Sequence, residues 1–213
     1  MADVGTGFVE DLPLAGPIAL RPATGGDAAE GARSALQIDA DGAFGSGSHP
    51  TTRLLLEALA SRARPGLRVL DFGTGSGILT LLAAALGARA VGIDRDPAAI
   101  ACAERNRLAN RIPRRSRSGG GARFLLGESP AIAGRRRWPL IVANLFGPSL
   151  IELADPLARA LSPGGELLLS GALLVDAGRV ERAFVDRGLV PAARSALTGW
   201  ALLALVNQPP ASG

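Results

Sequence analysis

The 213-residue chain has little of several residue types, and each shortage excludes a class of protein. Cys102 is the only cysteine, which rules out an internal disulfide and leads us to expect a cytoplasmic location. No apolar run approaches the roughly 18 uninterrupted residues of a membrane span, so no membrane partner is expected. The N-terminus also lacks the basic start and apolar block of an export signal.

Lysine is absent as well, so arginine carries the whole net charge of +4. The arginines cluster between residues 105 and 123 and again at 135–137. Such clusters could bind phosphates or an acidic protein surface, which makes RNA methylation one alternative function. Solvated loops explain them more simply, because residues 112–122 combine proline, serine and three consecutive glycines. We therefore expect no nucleic-acid partner.

The length and the 47% of apolar residues indicate one α/β domain with a full core. Residues 1–36 show no helical period and are interpreted as a lead-in, in which 17–21 and 34–38 could be short strands of a hairpin. We expect the domain itself at 37–208 and a tail at 209–213.

Beyond residue 50, apolar strands alternate with helices until a final hairpin at 189–196 and 200–206. This alternation predicts a Rossmann-like α/β fold, with a seven-stranded, mostly parallel sheet, helices on both faces and a C-terminal antiparallel hairpin. A single uninterrupted helix is expected at 148–161, followed by a turn and a strand at 166–169.

The most informative stretch, residues 71–77, reads Asp-Phe-Gly-Thr-Gly-Ser-Gly between β-forming residues and an apolar helical run. Its glycines permit positive φ and the close approach of a ligand. Their spacing differs from the G-x-G-x-x-G of dinucleotide-binding proteins, and a P-loop would need Gly-Lys-Ser/Thr. The pattern instead resembles the first motif of Rossmann-like methyltransferases that bind S-adenosylmethionine. If this resemblance holds, the amino-acid end of the cofactor would contact Asp71, Gly73, Gly75 and Gly77. The alternative is a glycine-rich turn that only packs closely and binds no ligand.

A second carboxylate follows at the distance that a nucleoside site requires. Asp94 ends the next predicted strand, and a Rossmann acidic residue binds the ribose hydroxyls about 20 residues after the glycines. Asp96 and Pro97 already provide a helix cap, which leaves Asp94 available for a ligand. Glu128, just beyond the third strand, lies where such folds contact the adenine ring.

A fourth, fully apolar strand at 140–143 delivers Asn144 to the carboxyl edge of the sheet, outside which ligands bind in open parallel sheets. Its side-chain carbonyl could accept a hydrogen bond from a substrate amine, and its amide could also touch the methyl donor. A buried structural asparagine is the alternative. The following Leu-Phe-Gly differs from the Asn-Pro-Pro-Tyr of many nucleic-acid and glutamine methyltransferases, which argues against a base-modifying enzyme.

The loop at 42–52, Gly-Ala-Phe-Gly-Ser-Gly-Ser-His-Pro-Thr-Thr, resembles the A-F-G-T-G-x-H-P-T-T pattern of the PrmA family, which methylates amino groups of a large-subunit ribosomal protein. The similarity continues through 71–79, 92–97, Asn106, Asn110 and 142–145, and it covers about residues 36–205. It implies the catalytic domain of a class I methyltransferase with S-adenosylmethionine as cofactor. By this resemblance the cofactor contacts are Thr52, Gly73, Asp94 and Asn144, with Phe44 and His49 in the loop that covers the methyl donor.

The expected function is S-adenosylmethionine-dependent N-methylation of amino groups, most simply those of a protein such as a ribosomal protein. Asn144, Phe44 and His49 are the candidate catalytic residues, and no metal is expected. His49 could act near neutral pH, although the following Pro50 favours a structural role; Phe44 could be a lid or a core residue. The PrmA family places a recognition domain before the catalytic one, where this chain has a lead-in. A small amine or amino acid as substrate, or a non-catalytic cofactor-binding partner protein, therefore remain alternatives.

Overall fold

The computed structural model describes residues 12–13, 18–22, 34–40, 45–115, 120–130 and 137–208. The elements are, in chain order, β1 (Leu12–Pro13), β2 (Ile18–Pro22), β3 (Ser34–Ile38), α1 (Pro50–Ala60), β4 (Arg68–Phe72), α2 (Ile78–Ala85), β5 (Arg89–Asp94), α3 (Pro97–Ala109), β6 (Gly121–Leu126), β7 (Trp138–Asn144), α4 (Gly147–Glu152), α5 (Ala154–Ala160), β8 (Leu161–Leu173), α6 (Ala177–Val185), β9 (Val190–Leu197) and β10 (Trp200–Val206).

Seven strands form the central sheet in the order β6-β5-β4-β7-β8-β10-β9. Neighbouring strands from β6 to β8 are parallel, and β10 runs antiparallel to both of its neighbours. The predicted Rossmann-like sheet with a C-terminal antiparallel hairpin is therefore confirmed. The chain proceeds outward from β4 to β6 and then returns to place β7 on the other side of β4. This reversal creates a crevice at the carboxyl ends of β4 and β7, where open α/β sheets bind ligands.

Two apolar layers cover the faces of this sheet. One layer contains side chains of α1, α2 and α3, among them Leu55, Leu81 and Ala103. The other contains side chains of α4, α5 and α6, including Leu157 and Phe184. Along β4 and β7 the apolar residues alternate between the layers, as a period of two requires. Each fully buried leucine or phenylalanine contributes about 1.5–3 kcal/mol relative to its exposed state, so these layers fix the strand tips relative to each other.

Helix α3 has the predicted bounds and cap. The Asp96 carboxylate accepts a hydrogen bond of 2.8 Å from the Ala98 amide, and Pro97 occupies the first helical position. This geometry satisfies one of the four amides that a helix leaves unpaired at its start. Asp96 thus serves the helix, as the sequence indicates.

Two element boundaries and one strand pairing differ from the sequence-based predictions. The helix expected at 148–161 is two helices, α4 and α5, because Pro156 has no N–H to donate to the Glu152 carbonyl. Strand β8 begins at Leu161, which pairs with Trp138, and a register shift lets the strand pass through the expected turn. Strands β2 and β3 pair in parallel, so they do not form the predicted hairpin.

The small three-stranded sheet is attached to the domain through β3. Leu36 and Ile38 are buried among the side chains of the first apolar layer. Asn110 pairs with both the amide and the carbonyl of Gln37, at 2.8 and 2.7 Å, and so replaces a neighbouring strand. Within the described ranges, no helix combines the length and the apolarity needed to cross a bilayer.

Candidate active site

A cavity of about 790 Å³ opens at the carboxyl ends of β4, β5, β6 and β7. Its wall includes Gly73 and Gly75 after β4, Asp94 at the end of β5, Glu128 after β6 and Asn144 at the end of β7. Small-molecule sites of proteins have volumes of roughly 300–1,000 Å³. The cavity therefore has the size of a ligand site, at the place that the strand order predicts.

The glycine turn (residues 73–77) adopts a conformation that residues with side chains rarely adopt. Gly73, Gly75 and Gly77 have φ values of +78°, +53° and +85°. The amides of Gly73 and Thr74 both donate to the Ile93 carbonyl, at 2.8 and 2.9 Å, which ties the turn to β5. Glycine is needed here because other residues reach positive φ only with strain.

The three glycines have different surroundings. A Cβ at Gly77 would lie 2.9 Å from both Ala103 and Phe124, so this residue packs inward and does not line the cavity. Gly73 and Gly75 form part of the cavity wall. The turn therefore offers two residues to a ligand and uses the third to begin α2.

Asp94 joins the two strand tips that the sequence analysis singles out. Its Oδ2 accepts a hydrogen bond of 2.9 Å from the Gly75 amide, and its Oδ1 accepts one of 3.1 Å from the Asp96 amide. These contacts fix the carboxylate at the cavity wall. Because each carboxylate oxygen can accept about two hydrogen bonds, both oxygens retain acceptor capacity for a ligand.

Asp71 lies behind the glycine turn and does not line the cavity. Its side chain is fully buried, and Oδ2 accepts hydrogen bonds from the hydroxyls of Thr74 and Thr80, both at 2.7 Å, and from the Thr80 amide at 3.2 Å. Oδ1 has no hydrogen-bond partner. The carboxylate therefore connects the turn to the first helical residues that follow it, and its position is that of a structural anchor.

Burial raises the pKa of Asp71 to about 6, against the hydrogen bonds from Thr74 and Thr80, which lower it. The unfolded chain loses this proton near pH 3.8, so between these values only the unfolded state ionises. The contribution of Asp71 to the free energy of unfolding therefore falls as pH rises through this window, by about 3 kcal/mol in total.

We expect this dependence to disappear in Asp71→Asn. Denaturant unfolding of both proteins between about pH 4.5 and pH 7 checks it, because the difference between their free energies of unfolding varies with pH only through the titration of Asp71. The wild type should gain stability relative to the variant as pH falls. A difference that is constant with pH would contradict the assignment.

Asn144 is oriented by helix α1. Its Nδ2 donates a hydrogen bond of 3.2 Å to the hydroxyl of Thr52, which is buried behind the cavity wall. The amide nitrogen thus points to the protein, and Oδ1 makes no hydrogen bond within the described part of the chain. An acceptor oxygen held in this way at the cavity wall can receive an N–H group of a ligand.

His49 caps helix α1. Its Nδ1 accepts hydrogen bonds from the Thr51 hydroxyl at 2.8 Å and from the Thr51 amide at 3.4 Å. Burial lowers its pKa, which keeps the ring neutral at neutral pH. The ring also lies edge-on to Trp200, with 5.0 Å between the ring centroids. These contacts make His49 the cap of α1 at the cavity wall.

The chain on both sides of residues 41–44 is attached to the glycine turn. Asn106 donates to the carbonyls of Asp39 and Ser76, at 2.8 and 2.9 Å, and the Ser76 hydroxyl donates to the Gly45 carbonyl at 2.6 Å. Phe44 itself lies outside the described residues. These bonds give Asn106, one of the positions of the resemblance, a physical function. They hold the end of β3 against the glycine turn.

Most of the predicted site residues meet at one cavity. Those that line it are Gly73, Gly75, Asp94, Glu128, Asn144 and His49, whereas Thr52, Asp71 and Gly77 lie behind its wall. Trp200 and Glu152 also form part of the wall and are not among the residues that the sequence indicated. An available signal for Trp200 was an aromatic residue directly after the Thr198-Gly199 turn in a chain with only 4% aromatic residues.

Comparisons with known proteins agree with this geometry. A family model described as ribosomal protein L11 methyltransferase (PrmA) matches residues 15–208. The ribosomal protein L11 methyltransferase of Thermus thermophilus is 42% identical over 175 residues, which cover 82% of this chain and 66% of that protein. The corresponding protein of Azotobacter vinelandii is 43% identical over 166 residues, which cover 78% and 54%. The chain thus spans between half and two thirds of the length of these relatives.

A solved structure, that of a ribosomal protein L11 methylase from Lactobacillus delbrueckii subsp. bulgaricus, has a TM-score of 0.79 to this chain. The alignment has 24% identity and covers 94% of this chain and 100% of that chain. At this identity the likeness supports the fold alone.

Proposed function

Because the chain belongs to the ribosomal protein L11 methyltransferase (PrmA) family, we propose that it transfers a methyl group from S-adenosylmethionine to an amino group of a protein. The observation that carries the proposal is that the glycine turn, Asp94 and Asn144 meet at one cavity. A ribosomal protein is the first candidate for the acceptor, since the relatives are named for one.

The cavity residues fit a nucleoside with an amino-acid arm. Strands are about 4.8 Å apart, so the path from β6 across β5 and β4 to β7 is about 14 Å long. Glu128 lies at the β6 end and would face the base, and Asp94 on β5 would accept the ribose hydroxyls. Gly73 and Gly75 on β4 have no Cβ to obstruct the amino-acid arm, and Asn144 marks the β7 end, where the methyl group would be presented.

Bound S-adenosylmethionine supplies a methyl carbon that its sulfonium makes electrophilic. The protein has to align the lone pair of the amine with this carbon and to exclude water. The Oδ1 of Asn144 would accept one N–H of the amine, which turns the lone pair in a defined direction. Thr52 keeps the amide in the orientation that this contact needs.

The amine must also be uncharged when it reacts. A lysine-type amine has a pKa of about 10.4 in water, and an apolar environment disfavours the charged form. Phe146 and Trp200 provide such an environment at the β7 end of the cavity. No strong base is then required, and the Nδ1 of His49 is already engaged in capping α1.

The test is methyl transfer from labelled S-adenosylmethionine to ribosomal subunits and to a total lysate, after calorimetry of the cofactor alone. We expect micromolar binding and label in protein bands. Label only in small molecules would favour the small-amine alternative, and binding without any turnover would favour a cofactor-binding partner protein. Absence of binding would contradict the proposed function altogether.

A further inference from the structure

A second depression of about 330 Å³ adjoins the β7 end of the cavity. It lies between α4 and α6, and we call it the α4–α6 groove; its wall includes Pro148, Ile151, Asp176 and Arg179. Glu152 forms part of the wall of both the groove and the cavity, so the two lie next to each other at this side chain. A chain that leaves the cavity on the side of Glu152 would therefore reach the groove next.

We infer that the α4–α6 groove binds an extended polypeptide segment flanking the acceptor amine, and that Glu152 binds a cationic group of this segment. The inference rests on the proposed function and specifies how its protein substrate is held. Helix α4, with six residues, is about 9 Å long. An extended chain rises about 3.3 Å per residue, so the groove accommodates about three residues.

Exposed apolar side chains lie beside this path. Phe146 is 74% exposed directly before α4, and Val175 is 87% exposed directly before Asp176 of the groove. Leu173 and Leu174, which directly precede Val175 in the chain, are also exposed. The Leu174 amide donates a hydrogen bond of 2.8 Å to the carbonyl of Gly199, the residue before Trp200 of the cavity. Clustered exposed apolar residues at the mouth of a site are typical of a surface that a macromolecule covers. A small amine would leave them in water.

The charged side chains of the α4–α6 groove indicate which kind of macromolecule it binds. Among the described residues Glu152 has no ion pair, although Glu104, Glu166 and Glu181 each pair with an arginine in this arginine-rich chain. The ion pair between Asp176 and Arg179 is a weak one, because its N–O distance is as long as 4.0 Å and both side chains are exposed. The carboxylates of Glu152 at the junction and of Asp176 in the groove wall complement a basic segment and repel the phosphates of RNA. The groove therefore fits a peptide that carries a second positive charge near its acceptor amine.

The experiment uses a fluorescent hexapeptide with two lysines, bound in the presence of S-adenosylhomocysteine, so that affinity is measured without turnover. Glu152→Gln should weaken peptide binding about fivefold and should remove most of its salt dependence, as expected for one partly exposed ion pair. Val175→Ser should weaken it about threefold through lost apolar burial. Glu57→Gln on α1 is the matched control, because Glu57 is an exposed glutamate on the opposite face of the sheet.

Two further measurements separate this inference from the proposed function. Cofactor affinity by calorimetry, and methyl transfer to n-butylamine, should stay within about twofold in Val175→Ser, since Val175 is not among the residues that line the cavity. Groove-dependent peptide binding without any transfer would support the groove and contradict the proposed function. Equal peptide affinity in the wild type, Glu152→Gln and Val175→Ser would overturn the inference, as would displacement of the peptide by an RNA oligonucleotide that binds more tightly.

Discussion

Replacing Asp94 with alanine is expected to abolish measurable cofactor binding. The carboxylate accepts one hydrogen bond from the glycine turn and one from the start of α3, and in the proposed complex it also accepts the ribose hydroxyls. Hydrogen bonds to a charged group contribute about 1.5–3 kcal/mol each. Losing those to the ribose, together with the position of the turn, should raise the dissociation constant at least about 100-fold.

Calorimetry with S-adenosylmethionine checks this result, and two variants sharpen it. Asp94→Asn keeps the shape but loses the charge, so its affinity should fall between those of the wild type and the alanine variant. Asp155→Asn is the control, since this exposed carboxylate on α5 pairs with Arg159 away from the cavity. Micromolar affinity in Asp94→Ala would remove the basis for the ribose assignment.

The meeting of Asp94 with the glycine turn could be predicted from the sequence because it depends on local patterns. The turn and the carboxylate each end a strand, and consecutive parallel strands of such a sheet bring their carboxyl ends to one edge. The hydrogen bond from Gly75 to Asp94 is the direct outcome. No long-range information was needed beyond the order of strand, turn and helix.

The position of Asp71 was harder to predict, although the alternation along β4 contains the necessary signal. Val69 faces the layer of α2, and Leu70 and Phe72 face the opposite layer. Asp71 therefore points toward α2, where Thr80 and Thr74 engage it. The glycine motif taken alone places Asp71 next to the ligand, whereas the two-residue alternation along β4 places its carboxylate against α2.

Local patterns mark Trp200 as an aromatic residue after a turn, but they could not place it at the cavity. Its place at the cavity depends on β10 lying between β8 and β9 and running antiparallel to both, so that its first residue reaches the carboxyl edge of the parallel strands. The parallel pairing of β2 with β3 is a similar case, because parallel strands require a crossover that short apolar runs do not reveal. Both features follow from the arrangement of elements distant in sequence.

Replacing Asn144 with alanine is expected to reduce methyl transfer by a factor of about 100 to 1,000. This range is what the loss of one preorganised polar group costs in other enzymes. The loss follows from the two contacts of the amide, in which Nδ2 is held by Thr52 and Oδ1 is left to orient the amine. Single-turnover transfer at saturating cofactor isolates this step from cofactor affinity, which Asn144 would also affect.

The Thr52→Val variant tests whether methyl transfer needs the Asn144 amide to be oriented or only to be present. Valine has nearly the same volume but no hydroxyl, so Asn144 would remain and lose its fixed direction. Transfer should then fall about tenfold, less than in Asn144→Ala, because some amides still adopt the productive orientation. Asn207→Ala is the control, since Asn207 follows the far end of β10 and contacts the Leu161 carbonyl at the opposite edge of the sheet. If Asn144→Ala and Asn207→Ala transferred methyl groups equally fast, the amine would have to be oriented by another part of the cavity wall.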